Sequence, residues 1–391
     1  MKSKWITATI DDVCTVVTDG AHNSPKSVEE GHYMASVKDF TEFGFDFSNC
    51  KQIGKEDYEK LRNQGCVPEK NDILVGKDGA RYFEDIIIYK QDERPALLSS
   101  IAILRADSRK ITPEFLYYTL KSPVVRKDVR ENYGSGSAIP RIVLKDFKRM
   151  PFSFPSIGEQ RKITNLCSAI DAKIQVNNAI NENLEQQAQS LFIEMFDSKE
   201  SNFWKQGVLS DIAEITMGQS PSGNSYNENG QGTVFFQGRA EFGFRFPTIR
   251  LFTSEPKRIA QKNDTLMSVR APVGDLNVAH EECCIGRGLA AIRSKDNHQS
   301  FVHYTMFSLQ RELDVFNGEG TVFGSINRNA LNSMPIRVPP IDLMDKFENI
   351  ASPIDKLIRT NFDENCHLQA IRDSILPKLM AGEIDLSNFK L

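Results

Sequence analysis

Between residues 160 and 196 apolar side chains recur every third or fourth position, and neither Gly nor Pro interrupts them. That spacing predicts one long helix with a heptad seam. Ile163, Ile170, Leu184 and Leu191 take the a positions, and Cys167, Ile174, Ala188 and Met195 the d positions. A second stretch repeats the pattern with Phe347, Ile354, Leu368 and Ile375 at a, and Ala351, Ile358 and Leu379 at d. Its Pro353 and Pro377 are tolerable near helix ends or as a kink. Both seams place Asn at their middle: Asn177 and Asn361 at a, Asn181 and Asn365 at d. These four either lie exposed on a frayed helix or form a buried polar layer that fixes register at some cost in stability. The second reading is the expectation.

Away from these stretches the chain reads differently. Short β-rich runs (DIIIYK, TVFFQG, AIRS) alternate with turn signals, and one further helix is predicted near 113–121 and another near 300–309. Gly-rich segments such as GSGS (134–137) punctuate them. Long crossover helices are missing, so each block is expected to be a compact mixed α/β domain rather than a parallel doubly wound sheet.

The two halves are copies. Trp5 recurs as Trp204, EFGFDF (42–47) as EFGFRF (241–246), KNDIL (70–74) as KNDTL (262–266), and FLYYTL (115–120) answers FVHYTM (301–306). From Gly134 to Phe196 the offset stays at 184, with Met150-Pro151 matching Met334-Pro335 and Ile170-Asp171 matching Ile354-Asp355. Insertions and deletions are confined to the blocks, as surface loops allow. The expected fold class is α+β: two globular domains at 1–157 and 203–340, separated by two long helices at 158–197 and 341–380, with a tail at 381–391. A block of this size keeps its termini close together, so the coiled-coil helices are expected to run antiparallel, with the blocks at opposite ends of a rod under a pseudo-twofold axis.

Charge refines that picture. The net value of −4 hides two near-neutral blocks and two acidic helical segments, which excludes a non-specific polybasic binder but leaves site-specific nucleic-acid binding open. Seven cysteines at 14, 50, 66, 167, 283, 284 and 366 make no CxxC or Cys/His metal spacing, so reduced thiols in a cytoplasmic protein are expected, with no metal site. No apolar run is long enough to span a membrane, and no apolar stretch near the N-terminus suits a signal peptide. The phosphate loop, the dinucleotide fingerprint, HExxH and GxSxG are all absent. Asp171-Ala172-Lys173 has nuclease-like DxK spacing, but its twin Asp355-Lys356-Leu357 lacks the lysine in register. The paired Asp171 and Asp355 fit helix packing or a partner contact instead. No catalytic residue is assigned.

Taken together, GQSPSGNSYNENGQGTVFFQGRAEFG (218–243), KNDIL/KNDTL and GSGSAIPRIVLKDFKRMPFSFPSIGEQRKI (134–163) leading into AIDAKI (169–174) resemble the specificity subunit of type I restriction–modification systems. The resemblance spans nearly the whole chain. Copy two departs from it where Met344 replaces Gln160 and Gly324 replaces Pro140. It implies that each block is a target recognition domain reading one half of an asymmetric bipartite site in double-stranded DNA. The helices would act as spacer and dock two modification subunits, which methylate adenine with S-adenosylmethionine. Restriction subunits would join through the complex and add ATP- and Mg-dependent translocation and cleavage. The chain itself would carry no cofactor.

Base edges in the major groove are read best by Arg, Asn and Gln, while Lys and Arg hold phosphates. The loops of block two offer Gln219, Ser222, Tyr226, Gln237, Arg239 and Arg270; those of block one offer His22, Lys26, Lys38, Lys77 and Arg81. A basic stretch from Arg126 to Arg149 precedes the first helix and is a local phosphate-contact candidate. The six residues Asp171, Asn177, Asn181, Asp355, Asn361 and Asn365 are assigned to helix register or partner docking. Two alternatives stay open: a duplicated coiled-coil scaffold that reads no DNA, and a single-chain nuclease or methyltransferase.

Overall fold

The first and last strands of each block pair with one another. In the computed structural model, which describes residues 5–79, 81–134, 140–197, 201, 203–318 and 324–384, Ile6–Thr9 runs antiparallel to Pro151–Phe154 and Lys205–Val208 antiparallel to Pro335–Val338. Both ends of a block therefore meet where its long helix begins. Ile157–Phe196 and Ile341–Met380 are continuous helices of 40 residues each. Pro353 and Pro377 are both accommodated within the second helix.

Between those strand pairs the two blocks share a four-stranded sheet. Block one has a four-stranded sheet in the order Cys14–Asp19, Ile101–Ala106, Ile73–Gly76 and Ile86–Ile88. Block two repeats it as Ala213–Met217, Leu289–Ser294, Thr265–Ser268 and Leu276–Val278. Each block adds a second sheet with one parallel pairing, three-stranded in the first (His32–Ala35 with Ala96–Leu97) and five-stranded in the second (Thr233–Phe236 with Cys283–Ile285). The helices predicted near 113–121 and 300–309 are Pro113–Lys121 and Gln299–Ser308. The chain is α+β. Residues 135–137 of the GSGS segment, and residues after 384, lie outside the described residues.

The chain divides into two compact units, one of 1–177 with 363–391 and one of 178–362. Each thus contains a block and half of each long helix. In the first unit the core of block one (Ile73, Leu104, Phe115, Phe147) continues onto Ile163, Cys167, Leu376 and Leu379 of the helices. In the second, Ile292, Phe301 and Val302 continue onto Ala188, Phe192, Phe347 and Ala351. Within each unit the helix segments are antiparallel. Asn177 meets Asn365 and Asp171 meets Arg372 in one; Asn181 meets Asn361 in the other.

The seam follows the expected d line from Cys167 to Ala188, and on the a line Ile163 and Asn177 are buried while the other positions are displaced. Cys167, Ile174, Asn181 and Ala188 are buried, whereas Ile170, Leu184 and Leu191 are only half-buried. The neighbours Thr164, Asp171 and Phe192 are buried in their place. A helix in contact with a globular block as well as a second helix buries a wider face than a two-helix seam. In the second helix the line 344, 351, 358, 365, 372, 379 is buried throughout. It includes Arg372, a d-position cation that hydrophobic periodicity does not reveal.

Candidate nucleic-acid interface

The two copies hold one edge of each block with the same backbone hydrogen bonds. Gly20 N–H donates to Ile101 O at 3.1 Å, and Gly218 N–H to Leu289 O at 2.9 Å. One residue on, Ala21 N–H donates to Leu97 O (2.7 Å) and Gln219 N–H to Ile285 O (2.9 Å). Leu98 N–H reaches Ala35 O and Gly286 N–H reaches Phe236 O, at 2.9 and 2.8 Å. Lys77 N–H reaches Ser100 O and Val269 N–H reaches Gly288 O, at 2.8 and 2.9 Å. A Cβ on Gly20 would stand 2.2 Å from Leu97 O, and one on Gly218 would stand 2.1 Å from Gly286 O. Only glycine lets these strands approach so closely.

On this shared frame the side chains differ. Where block two presents Gln219, Gln237 and Arg287, block one presents Ala21, Ser36 and Ser99. Gln219, Gln237, Arg239, Arg270 and Arg287 are all exposed. Arg239 pairs with Asp275, while Arg270 and Arg287 make no ion pair among the described residues. Arg287 sits between Gly286 and Gly288 at the turn into a strand, and its N–H donates to Ser220 Oγ at 3.3 Å. In the sequence Gly-Arg-Gly resembles an ordinary turn, and the signal that marks Arg287 is its position two residues before the LAAIR strand. Ser222 is exposed, and its carbonyl accepts from Ser225. Tyr226 is tied down: its hydroxyl donates to Pro221 O (3.1 Å) and its ring packs on Phe235.

In block one, His22, Lys26 and Lys38 are exposed, with His22 Nε2 3.3 Å from Asp19. Arg81 is exposed and paired with Asp85 at 2.7 Å. Lys77, expected on an accessible loop, is instead buried. Its Nζ lies 3.3 Å from Asp19 Oδ2 and 3.7 Å from Asp78 Oδ1. The positions of Asp19 and Lys77 are occupied in copy two by Met217 and Val269, which pack in that block's core. Copy one therefore has an ion pair where copy two has an apolar contact, and Lys77 acts as a strut. The basic stretch before the first helix is likewise largely occupied. Arg126 donates to Glu84 O, Arg130 pairs with Glu84, Lys127 with Glu131, Lys148 with Asp11 and Arg149 with Asp146.

Five of the six helix residues are internal, and Asp355 is half-buried. Asn177, Asn181, Asn361 and Asn365 are buried, as is Asp171, which therefore offers no face to a partner. Gln160 pins the first helix to the start of Pro113–Lys121: its Nε2 donates to Lys110 O and Pro155 O, and its Oε1 accepts from Thr112 N. Met344 cannot do this in copy two. There Glu348, one turn further along, accepts from the N–H groups of Ser300 and Phe301 at 3.2 and 3.1 Å. Burial raises its pKa even though those donors favour the charged form. All seven cysteines are unpaired, and burial pushes the thiols of Cys167 and Cys283 up to about 12. Among the described residues, no three His, Cys, Asp or Glu side chains gather as a metal site, and no helix is long and apolar enough to cross a membrane.

Comparisons with known proteins agree with the duplicated frame. The type I restriction modification DNA specificity domain matches residues 2–186 and again 202–369. A Methanocaldococcus jannaschii chain assigned as the MjaX type I restriction enzyme specificity subunit is 28% identical over 410 aligned positions, covering 97% of this chain and 93% of that one. The MjaIX specificity subunit of the same organism is 24% identical, covering 70% of this chain and 69% of its own. The solved structure of a type I restriction–modification S subunit from M. genitalium aligns with a TM-score of 0.55 at 18% identity, over 97% of this chain and 96% of that one. That likeness concerns the fold. With two copies of the domain on one matching framework, the chain belongs to the type I restriction–modification DNA specificity subunits.

Proposed function

We propose that each block reads a different half of a bipartite site in double-stranded DNA, through the edge that the shared backbone frame supports. The observation that carries this reading is the contrast between frame and side chains: the same backbone hydrogen bonds hold Gly20, Ala21 and Leu98 in one copy and Gly218, Gln219 and Gly286 in the other, while the side chains on and beside that frame are Ala21, Ser36 and Ser99 against Gln219, Gln237 and Arg287. Two equivalent scaffolds with different donors and acceptors are suited to reading two different half-sites. His22, Lys26, Lys38 and Arg81 serve block one, and Gln219, Ser222, Gln237, Arg239 and Arg270, joined by Arg287, serve block two.

The long helices act in this reading as spacer and as docking surface for two modification subunits, with restriction subunits joining through them. The chain performs no catalysis; S-adenosylmethionine, ATP and Mg act on the partners, and the complex works in the cytoplasm. Binding by the free chain is weak, since a net charge of −4 releases few counterions.

The test is to co-express the chain with modification subunits and sequence the methylated positions, before and after replacing residues 203–335 by a homologous block. A change confined to one half-site is expected, and a change in both halves refutes the modular reading. Native mass spectrometry addresses stoichiometry, where two modification subunits per chain are expected. A complex that shifts no duplex at low salt would favour the scaffold reading.

A further inference from the structure

In both units a helix carboxylate receives a tyrosine hydroxyl and a guanidinium. Tyr118 Oη donates to Asp171 Oδ2 at 2.6 Å, and Tyr304 Oη donates to Asp355 Oδ1 at 3.1 Å. These residues correspond between the copies: FLYYTL against FVHYTM, and Ile170-Asp171 against Ile354-Asp355. The source of the cation does not correspond. In the first unit Arg372, on a long helix, places Nη1 2.6 Å from Asp171 Oδ1 and 3.8 Å from Glu42. The position equivalent to Arg372 in the other helix is Ala188, which is fully buried. In the second unit the cation comes from the block. Arg245, 5% exposed, places Nη2 2.6 Å from Asp355 Oδ1 and Nη1 2.8 Å from Glu185 Oε1, with its guanidinium over the Tyr304 ring.

Three positions therefore differ together. Arg245 is the fifth residue of EFGFRF, where block one has Asp46 in EFGFDF. Arg372 corresponds to Ala188, and Gln369 corresponds to Glu185. Where the helices bring a cation, the block brings none at this position: Asp46 is exposed and accepts from Ser48 N–H at 2.9 Å. Where the helices bring an extra carboxylate and no cation, the block brings the arginine. Removing one partner of a buried ion pair is costly because the other charge stays buried and uncompensated.

We propose that each helix junction is a charge-keyed socket that selects the recognition block seated on it. The second junction takes a block with arginine at the fifth position of the EFGFxF segment, and the first takes a block without it. Block one on the second junction would leave Asp355 and Glu185 half-buried with no guanidinium. Block two on the first would set Arg245 beside Arg372 with Asp171 between them. The inference rests on the blocks being transplantable units, but its readout is folding stability without DNA. A block that binds no DNA therefore leaves the socket untouched, and a failed socket leaves DNA reading untouched.

The experiment uses the full chain and a double-mutant cycle. Arg245→Asp should lower the melting temperature by on the order of 10 °C, the scale for breaking a buried pair in a unit of this size. Ala188→Arg should lower it in the wild type, where two guanidinia would meet, yet raise it in the Arg245→Asp background. If Arg245→Asp yields no soluble protein, Arg245→Gln takes its place, and recovery by Ala188→Arg is read the same way. A companion chimera carries residues 4–151 in place of 203–335, with and without Glu185→Gln and Ala188→Arg; the compensated form should melt higher. An Ala188→Arg substitution that harms the Arg245 variants as much as the wild type overturns the proposal, as does a chimera indifferent to compensation.

Discussion

Asn361 donates from Nδ2 to Asn181 Oδ1 across 2.8 Å, in a layer of the helix seam where both residues are buried. Asn181 in turn reaches Ile358 O at 3.4 Å. A hydrogen bond between buried amides contributes modestly, whereas losing one partner exposes the other's desolvation cost. Asn361→Leu should therefore destabilise the chain by about 1–3 kcal/mol. Asn181→Leu combined with Asn361→Leu should cost less than the sum of the two single changes, because an apolar pair leaves nothing unsatisfied. Chemical denaturation of the four proteins measures this; strictly additive losses would show that the two amides are not coupled.

The Lys77–Asp19 strut and its apolar counterpart Val269–Met217 make a second cycle. Lys77→Val alone leaves Asp19 buried with His22 beside it and should cost about 3–5 kcal/mol. Adding Asp19→Met reproduces copy two and should restore most of that loss. Unfolding midpoints of the single and double variants decide the matter. A double variant as unstable as Lys77→Val would mean that block one cannot adopt copy two's packing there.

On the reading edge, Arg287→Ala in the assembled complex should weaken binding by roughly 1–3 kcal/mol and relax preference at one base pair of block two's half-site. Selection from a randomised duplex library reports both quantities. Equal weakening on all sequences, with a salt slope reduced by about one, would place Arg287 on a phosphate instead.

His303 supplies a pH signature. It is buried, its Nδ1 lies 3.1 Å from Thr265 Oγ1, and its Nε2 has no hydrogen-bond partner among the described residues. Burial, aided by the charge of Arg245, lowers its pKa well below 6.5. Its folded form stays neutral while the unfolded form gains a proton, so stability present above pH 6.5 is lost as pH falls through the unfolded value toward the folded one. The slope should approach about 1.4 kcal/mol per pH unit. His303→Leu should flatten that part of the stability profile between pH 6.5 and 5, as melting scans across the range would reveal; an unchanged slope would assign the acid sensitivity to other groups.

The duplication, the long helices and the Asn layer were legible because each leaves a linear trace: a fixed offset, a heptad, a polar residue in an apolar seam. Arg372 and Arg245 left none. Their meaning depends on a tyrosine and a carboxylate far away in sequence, and a charged residue at a d position looks like a break in the pattern. Lys77 was misjudged for a related reason. Its place between a strand and a turn suggests exposure, and only the fold brings Asp19 under it. The capping role passed from Gln160 to Glu348 was hidden too, since the two sit one helical turn apart in the aligned copies.

The crossings at Gly20 and Gly218 have a practical bearing for anyone seeking new sequence preferences. Any side chain there would collide with a carbonyl oxygen at little more than 2 Å, so neither position tolerates diversification. The adjoining Gln219, Gln237 and Arg287 are exposed, so their side chains are free to change without disturbing the weave beneath them, whereas Ala21 packs in a core and Ser36 Oγ donates to Asp39. A combinatorial library confined to positions 219, 237 and 287 would vary chemistry while the scaffold stays constant. Variants lost from such a library would report on recognition rather than on misfolding.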